Sequence, residues 1–161
     1  MKRPFALPIL LLTLLVANPV LSADYQRGTD AALKGDYATA LSEWEPLAEQ
    51  GNATPQFQLG WLYEKGYGVI LDYKIAGSWY QRAAEQGYAY AQSALGRMYR
   101  DGYGVPKNTQ KAYMWFSIAA QSWDPNAKDM KNEITKTMSS TQLETAQRLA
   151  RECVRKKYKG C

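Results

Sequence analysis

The residues Ala76, Trp79, Tyr80, Ala83 and Ala84 form an apolar series separated by Ser78, Gln81 and Arg82. Their spacing is the i, i+3, i+4, i+7, i+8 stripe of an amphipathic helix. Ala112, Trp115, Phe116, Ala119 and Ala120 repeat that stripe, and Ala40, Trp44, Leu47 and Ala48 follow it more loosely. Asp36, Asp72 and Asn108 stand just ahead of the three stripes, where a side-chain oxygen can accept a bond from an unpaired backbone N–H. Gly51 and Gly87 follow the first two and suit the left-handed conformation that ends a helix. A further helix is predicted before each later stripe, from about Ala53 to Lys65 and from about Ala89 to Asp101. Gly60 and Gly96 fall in the middle of these, at a cost of ~1 kcal/mol each relative to alanine. That cost is tolerated where a neighbouring ring needs the space of a missing Cβ, and Trp79 and Trp115 are the expected occupants. Pro46 falls inside the helix of the first stripe, where it removes one backbone bond and is expected to bend the chain.

The pattern is periodic. Sliding the chain by 36 residues lays Leu59-Gly60 on Leu95-Gly96, Tyr63 on Tyr99, and Gly66-Tyr67-Gly68-Val69 on Gly102-Tyr103-Gly104-Val105. In the same register Asp72 meets Asn108, Ala76 meets Ala112, Trp79-Tyr80 meets Trp115-Phe116, and Ala83-Ala84 meets Ala119-Ala120. One period earlier, Asp36, Ala40, Trp44, Ala48 and Gly51 align with Asp72, Ala76, Tyr80, Ala84 and Gly87. The Gly-Tyr-Gly-Val segment lacks the strand before it and the Lys-Ser/Thr after it that a phosphate loop requires, so it reads as a turn between helices. Beyond Asp124-Pro125 the period stops. Asp124 and Pro125 are expected to open a helix reaching about Thr137, with Ala127, Met130, Ile134 and Met138 facing the last unit. Ser139 and Gln142 form a capping-box pair for a final helix. Its apolar face is Leu143, Ala146, Leu149, Ala150 and Cys153, and its polar face carries Arg148, Arg151, Arg155, Lys156 and Lys157.

The repeated Leu-Gly, Tyr, Gly-Tyr-Gly-Val, Asp/Asn, Ala, Trp-Tyr/Phe and Ala-Ala resemble the Sel1-like repeat, a relative of the tetratricopeptide repeat, in two copies spanning Ala53 to Ala120. Gly28, Gly35-Asp36-Tyr37, Ala40 and Trp44 resemble a diverged tetratricopeptide unit ahead of them. Ile70-Leu71, where a polar pair is usual, and Trp123-Asp124, where Gly is usual, depart from the family pattern. The resemblance implies an all-α fold: a right-handed α-solenoid of stacked antiparallel helix pairs, about eight helices in all, with the first helix of each pair lining a concave surface. The expected organisation is a leader over 1–23, a first unit over 24–52, repeats over 53–88 and 89–124, and a helical cap over 125–161.

The leader rests on Lys2 and Arg3, an apolar run from Phe5 to Val16, and small residues before a cut ahead of Asp24. The run is short of the ~20 residues that span a bilayer. Export to the periplasm or beyond the cell is therefore expected, an uncleaved anchor being the alternative. Acidic residues outnumber basic ones between Asp24 and Ala127, and basic residues outnumber acidic ones from Lys128 to Cys161. No basic stripe with interleaved aromatics runs through the body, which argues against nucleic acid as a partner. Any membrane contact is assigned to the basic C-terminal tail. Cys153 and Cys161 read as a disulfide in an oxidising compartment, with two free thiols or an intermolecular link as alternatives. The chain has no histidine, which removes the commonest general base and metal ligand together.

The positions that the repeat does not dictate carry the functional expectation. Thr54, Phe57, Trp61 and Glu64 on one helix, and Tyr90, Ser93, Arg97 and Arg100 on the next, face the concave side by the resemblance. Phe57, Trp61, Tyr90, Arg97 and Arg100 are the candidate partner-binding residues, since aromatic and arginine side chains dominate interface hot spots. Phe57 and Trp61 have packing against the first unit as their alternative role. The expected protein is a monomeric adaptor binding another protein or peptide, without cofactor, metal or catalytic residues. Two other readings stand beside it. One is binding or hydrolysis of a cell-wall-derived or β-lactam ligand, implied by cysteine-rich relatives whose in-repeat cysteines are missing here. The other is a secreted effector acting on a host.

Overall fold

The computed structural model describes residues 19–122 and 124–161, with side chains from Ala23 onward. The leader up to residue 18 and Trp123 lie outside the described residues. Eight helices and no strand occur among the described residues: α1 (Pro19–Leu33), α2 (Tyr37–Glu49), α3 (Ala53–Lys65), α4 (Tyr73–Ala84), α5 (Ala89–Asp101), α6 (Thr109–Ala119), α7 (Ala127–Thr135) and α8 (Ser140–Arg155). The cut expected ahead of Asp24 falls within α1. Each helix from α1 to α6 packs on its predecessor and successor in the chain, which makes a one-dimensional stack of hairpins.

The helix signals act as predicted. The Asp36 carboxylate accepts from Thr39 N–H, Asp72 from Lys74 and Ile75 N–H, and Asn108 from Lys111 N–H. Gly51 and Gly87 take φ of 98° and 87°, the left-handed region that only glycine adopts freely. The helix of the first stripe runs unbroken through Pro46.

The occupants of the glycine gaps differ from the expected ones. A Cβ on Gly60 would stand 2.6 Å from the ring of Tyr80, not beside Trp79, and Gly96 faces the ring of Phe116, not Trp115. Gly28 faces Trp44 in the same way. Trp79 and Tyr80 are neighbours on one stripe, and the ring turned squarely to the partner helix is the second of the two. Tyr80 and Phe116 are fully buried, whereas Trp79 is half-buried with Arg82 over its ring at 4.7 Å. Glycine and aromatic lie 16 residues apart in the first unit and 20 apart in the next two. The four extra residues lie in the longer turn that contains Gly-Tyr-Gly-Val.

That turn joins units as well as helices. Gly68, at φ 70°, lies so close to the first residue of α2 that a Cβ would stand 2.9 Å from the Tyr37 carbonyl carbon. Gly104 meets the Tyr73–Lys74 backbone at the start of α4 in the same manner. Buried glutamines make a second join. Gln56 Nε2 donates to Ala48 O at 2.9 Å, and Gln92 Nε2 donates to Ala84 O at 3.2 Å. Each adds a second bond to a carbonyl at the end of the preceding helix that already accepts from the turn, Ala48 O from Gly51 N–H and Ala84 O from Gly87 N–H.

Beyond α6 the stack changes form. Helices α7 and α8 both lie mainly against α6 and do not form a fourth hairpin with each other. Helix α7 starts at Ala127, two residues later than predicted, because Asp124 closes a turn by accepting from Asn126 N–H at 2.9 Å. Ala127 and Ile134 are buried, with Met130 and Met138 packed beside them as expected. Helix α8 opens with the predicted reciprocal cap between Ser139 and Gln142 and buries Ala146, Ala150 and Cys153. Cys153 is bonded to Cys161, with Cα atoms 5.6 Å apart, so the free and intermolecular alternatives do not apply. The bond returns the tail across the stack. The Tyr158 ring lies over Gly87, Gly160 N–H donates to the Glu85 carboxylate, and Lys111 Nζ donates to Cys161 O at 2.9 Å.

Candidate functional site

The first helices of the hairpins, α1, α3 and α5, share a face that changes character along the stack. Its first part is a groove of about 310 Å³ between α1 and α3, lined by Ala32, Leu33, Phe57, Gln58 and Trp61, with Trp44 and Thr29 at its edge. Leu33 at the mouth is 82% exposed, far beyond what packing within the chain would leave. Phe57 and Trp61 are one turn apart on α3, so both present to this groove. Phe57 is held from behind by Tyr80 and Tyr88, with ring centroids 5.5 and 5.3 Å away. Trp61 is held edge-on by Tyr37 at 6.0 Å and Tyr67 at 5.1 Å. Both are half-buried: one side of each ring serves the fold and the other lines the groove. Packing against the first unit is seen for Trp61, through Tyr37, whereas Phe57 packs on Tyr80 and Tyr88.

Tyr90 continues this surface onto α5. It is 49% exposed, and its centroid is 6.2 Å from that of Phe57. Beyond it the face becomes charged. Arg97 Nη2 lies 3.7 Å from Glu64 Oε2, and the same carboxylate oxygen accepts from the Tyr80 hydroxyl at 2.6 Å. Burial, with the Glu64 charge beside it, pushes the Tyr80 phenol far above its ordinary range, so it remains a hydrogen-bond donor. Lys65 also reaches Glu64, at 3.1 Å. Glu64 thus joins α3, α4 and α5 at one point.

The remaining predicted residues are not brought into this surface. Arg100 turns away from Arg97 and makes two bonds of 2.8 Å to Asp101. That pairing raises the Arg100 pKa and lowers that of Asp101. Arg100 lines a separate cleft of about 420 Å³ against α7, opposite Met130 and Glu133. The adjacent pair of donors read from sequence is thus split between two faces. Ser93, expected on the open face, is buried at 1% exposure. Conversely, Leu33 and Ala32 were missed. Leu33 is the last apolar residue before the first turn, and its place one period-equivalent ahead of Lys65 marks it as out of character for a solvated position.

Stacked helical hairpins with a concave groove define a helical-repeat solenoid. The profile of the Sel1 repeat matches residues 56–88 and 89–122. A Sel1 repeat protein from Oxalobacter formigenes is 35% identical, with a TM-score of 0.63 over 70% of this chain and 88% of that one. The chain belongs to the Sel1 repeat family. It is also similar to a protective antigen of uropathogenic Escherichia coli displaying an SLR fold, with 26% identity and a TM-score of 0.80. That match covers 86% of this chain, which spans only 31% of the antigen's length. No curated protein gives a significant match. Sel1 repeat proteins are in general protein-interaction scaffolds.

Proposed function

We propose that the chain is an exported protein-interaction adaptor that holds an extended peptide or a helix of its partner against the face of α1, α3 and α5. The groove between α1 and α3 carries this reading. A half-exposed Phe57 and Trp61 facing an exposed Leu33 form an apolar slot with rigid aromatic walls, which is the anatomy of an interface hot spot. The charged end around Arg97 and Glu64 adds orientation, since a wrong-sign group there would be left without a partner. The occupant has one or two apolar side chains for the slot, followed by polar or acidic residues toward α5. Export accords with the apolar leader and with the Cys153–Cys161 bond, which persists in oxidising compartments. The organisation that goes with this reading is a leader over 1–23 and one solenoid over 24–161.

The test is affinity capture from envelope extract with wild-type protein and with a Trp61→Ala/Arg97→Ala variant. Loss of a hot-spot tryptophan costs at least ~2 kcal/mol, about thirtyfold in affinity. Partners retained by the wild type should be depleted on the variant, and a peptide from the retained partner should bind the wild type with that margin. Equal capture by both proteins rejects the groove as the binding site.

A further inference from the structure

The end of α8 and the turn after it carry a cluster of cations that the groove does not use. Arg151, Arg155, Lys156 and Lys157 are all exposed, and none makes an ion pair among the described residues. Their basic neighbours differ. Arg148 is engaged by Glu152 at 3.0 Å, and Lys159 by Glu85 at 3.7 Å. The disulfide ring encloses three of the cluster's four residues, Arg155, Lys156 and Lys157. Lys157 and Tyr158 take φ of 51° and 67°, reversing the chain, and Tyr158 turns inward over Gly87 while Lys156 and Lys157 stay outside. Beside the cluster, α6 and α8 leave a notch of about 280 Å³ lined by Ser117, Gln121, Gln147, Ala150, Arg151 and Val154. The notch offers hydroxyl and amide donors next to a guanidinium. Val154 on its rim is 42% exposed.

We propose that this corner docks on an anionic phospholipid surface. The notch beside Arg151 seats one headgroup phosphate, and Arg155, Lys156 and Lys157 lie against neighbouring headgroups. Four cations spread over a helix end and a tight turn match a field of laterally mobile phosphates, which needs no fixed hydrogen-bond register. The exposed Val154 among them suits the apolar boundary beneath the headgroups. An acidic protein segment would instead need carboxylates spaced to this layout. The surface is independent of the groove between α1 and α3, so a membrane-docked protein keeps its peptide slot free.

The experiment is co-sedimentation of the full purified protein with phosphatidylglycerol-containing vesicles and with phosphatidylcholine vesicles. A parallel arm uses an Arg151→Gln/Arg155→Gln/Lys157→Gln variant whose helical circular dichroism matches the wild type. Each basic residue near an anionic surface contributes ~1 kcal/mol, about fivefold, so the variant should lose about a hundredfold in affinity for anionic vesicles. Wild-type binding should also fall between 0.1 and 1 M salt, as the screening length shrinks from ~10 Å to ~3 Å. Neither an equal concentration of inorganic phosphate nor polyglutamate should displace the vesicles. Equal binding to neutral vesicles, as an apolar leader alone would give, overturns the proposal. Unchanged binding by the variant does the same. Displacement by phosphate or by polyglutamate would reassign the cluster to a free anion or to an acidic protein.

Discussion

Tyr67, in the turn between α3 and α4, stacks on Tyr37 at the start of α2, with centroids 4.5 Å apart and planes 11° from parallel. One repeat later Tyr103 stacks on Tyr73 at 4.8 Å and 13°. Each turn thereby grips the hairpin before it through a ring pair and a glycine contact. The last unit has Thr109 at the position of Tyr37 and Tyr73, and no further turn follows to need a ring there. A double-mutant cycle on Tyr37→Leu and Tyr67→Leu should return a coupling energy of ~1 kcal/mol in urea denaturation. A coupling indistinguishable from zero would show that the ring pair is mere adjacency.

Gly60→Ala sets two effects of opposite sign against each other. Alanine gains ~1 kcal/mol of helix propensity over glycine. Against that, its Cβ would meet the ring of Tyr80, which is walled in and cannot retreat, and overpacking of this kind costs ~1–3 kcal/mol. The net result should be destabilisation, and the same applies to Gly96→Ala against Phe116. Pairing Gly60→Ala with Tyr80→Leu should recover part of the loss. A more stable single variant in thermal unfolding would contradict the close fit.

Joining Cys153 to Cys161 closes a short loop, and the chain-entropy relation gives ~2.5 kcal/mol at most for a ring of this size. A Cys153→Ser/Cys161→Ser variant should unfold at lower urea concentration by up to that amount. Hydrogen exchange should rise first around Tyr158 and at the C-terminal end of α4, which the tail touches through Gly87 and Glu85. Mass spectrometry of exported protein should find the two cysteines linked.

Acid should weaken the fold through a few carboxylates. Bonds from Thr39 lower the pKa of Asp36, the Arg100 guanidinium lowers that of Asp101, and Arg148 lowers that of Glu152. A carboxylate whose folded pKa lies below its unfolded value contributes stability that is complete above the unfolded value of about 4 and is lost as pH falls through the folded one. Stability should therefore be flat with respect to these groups from neutrality to about pH 5 and decline below pH 4. The decline should be shallower in Asp101→Asn. A decline of the same steepness in that variant would remove Asp101 from the account.

The periodic elements were open to reading because they depend on local chemistry. Asp72 caps a helix wherever it precedes one, and Ala76 to Ala84 make a stripe whatever packs on it. What sequence left undetermined was direction around a helix. Trp79 and Tyr80 differ by one position, about 100° of rotation, and only the partner helix decides which ring enters the gap at Gly60. The first unit held the clue, since Gly28 and Trp44 stand in the places of Gly60 and Tyr80. Gln56 and Gln92 also recur at the 36-residue interval, yet a polar side chain inside a stack is explained only once the helix-end carbonyl it bonds has been located. Arg97 and Arg100 share a helix but not a destination, because Glu64 on α3 draws the first and Asp101 the second. The groove at Leu33 was hidden for another reason. It is a space between two helices, and no residue encodes a space.

A pile of hairpins ordinarily loosens one layer at a time from its ends, each layer detaching without consulting any but the next. The tail that runs from α8 back to Glu85 and Gly87 breaks that independence, because it ties the cap to the end of α4, beyond both α6 and α5. The layers it spans should then open together, and gradual peeling is left to the α1 end, where the groove beside Leu33 lies.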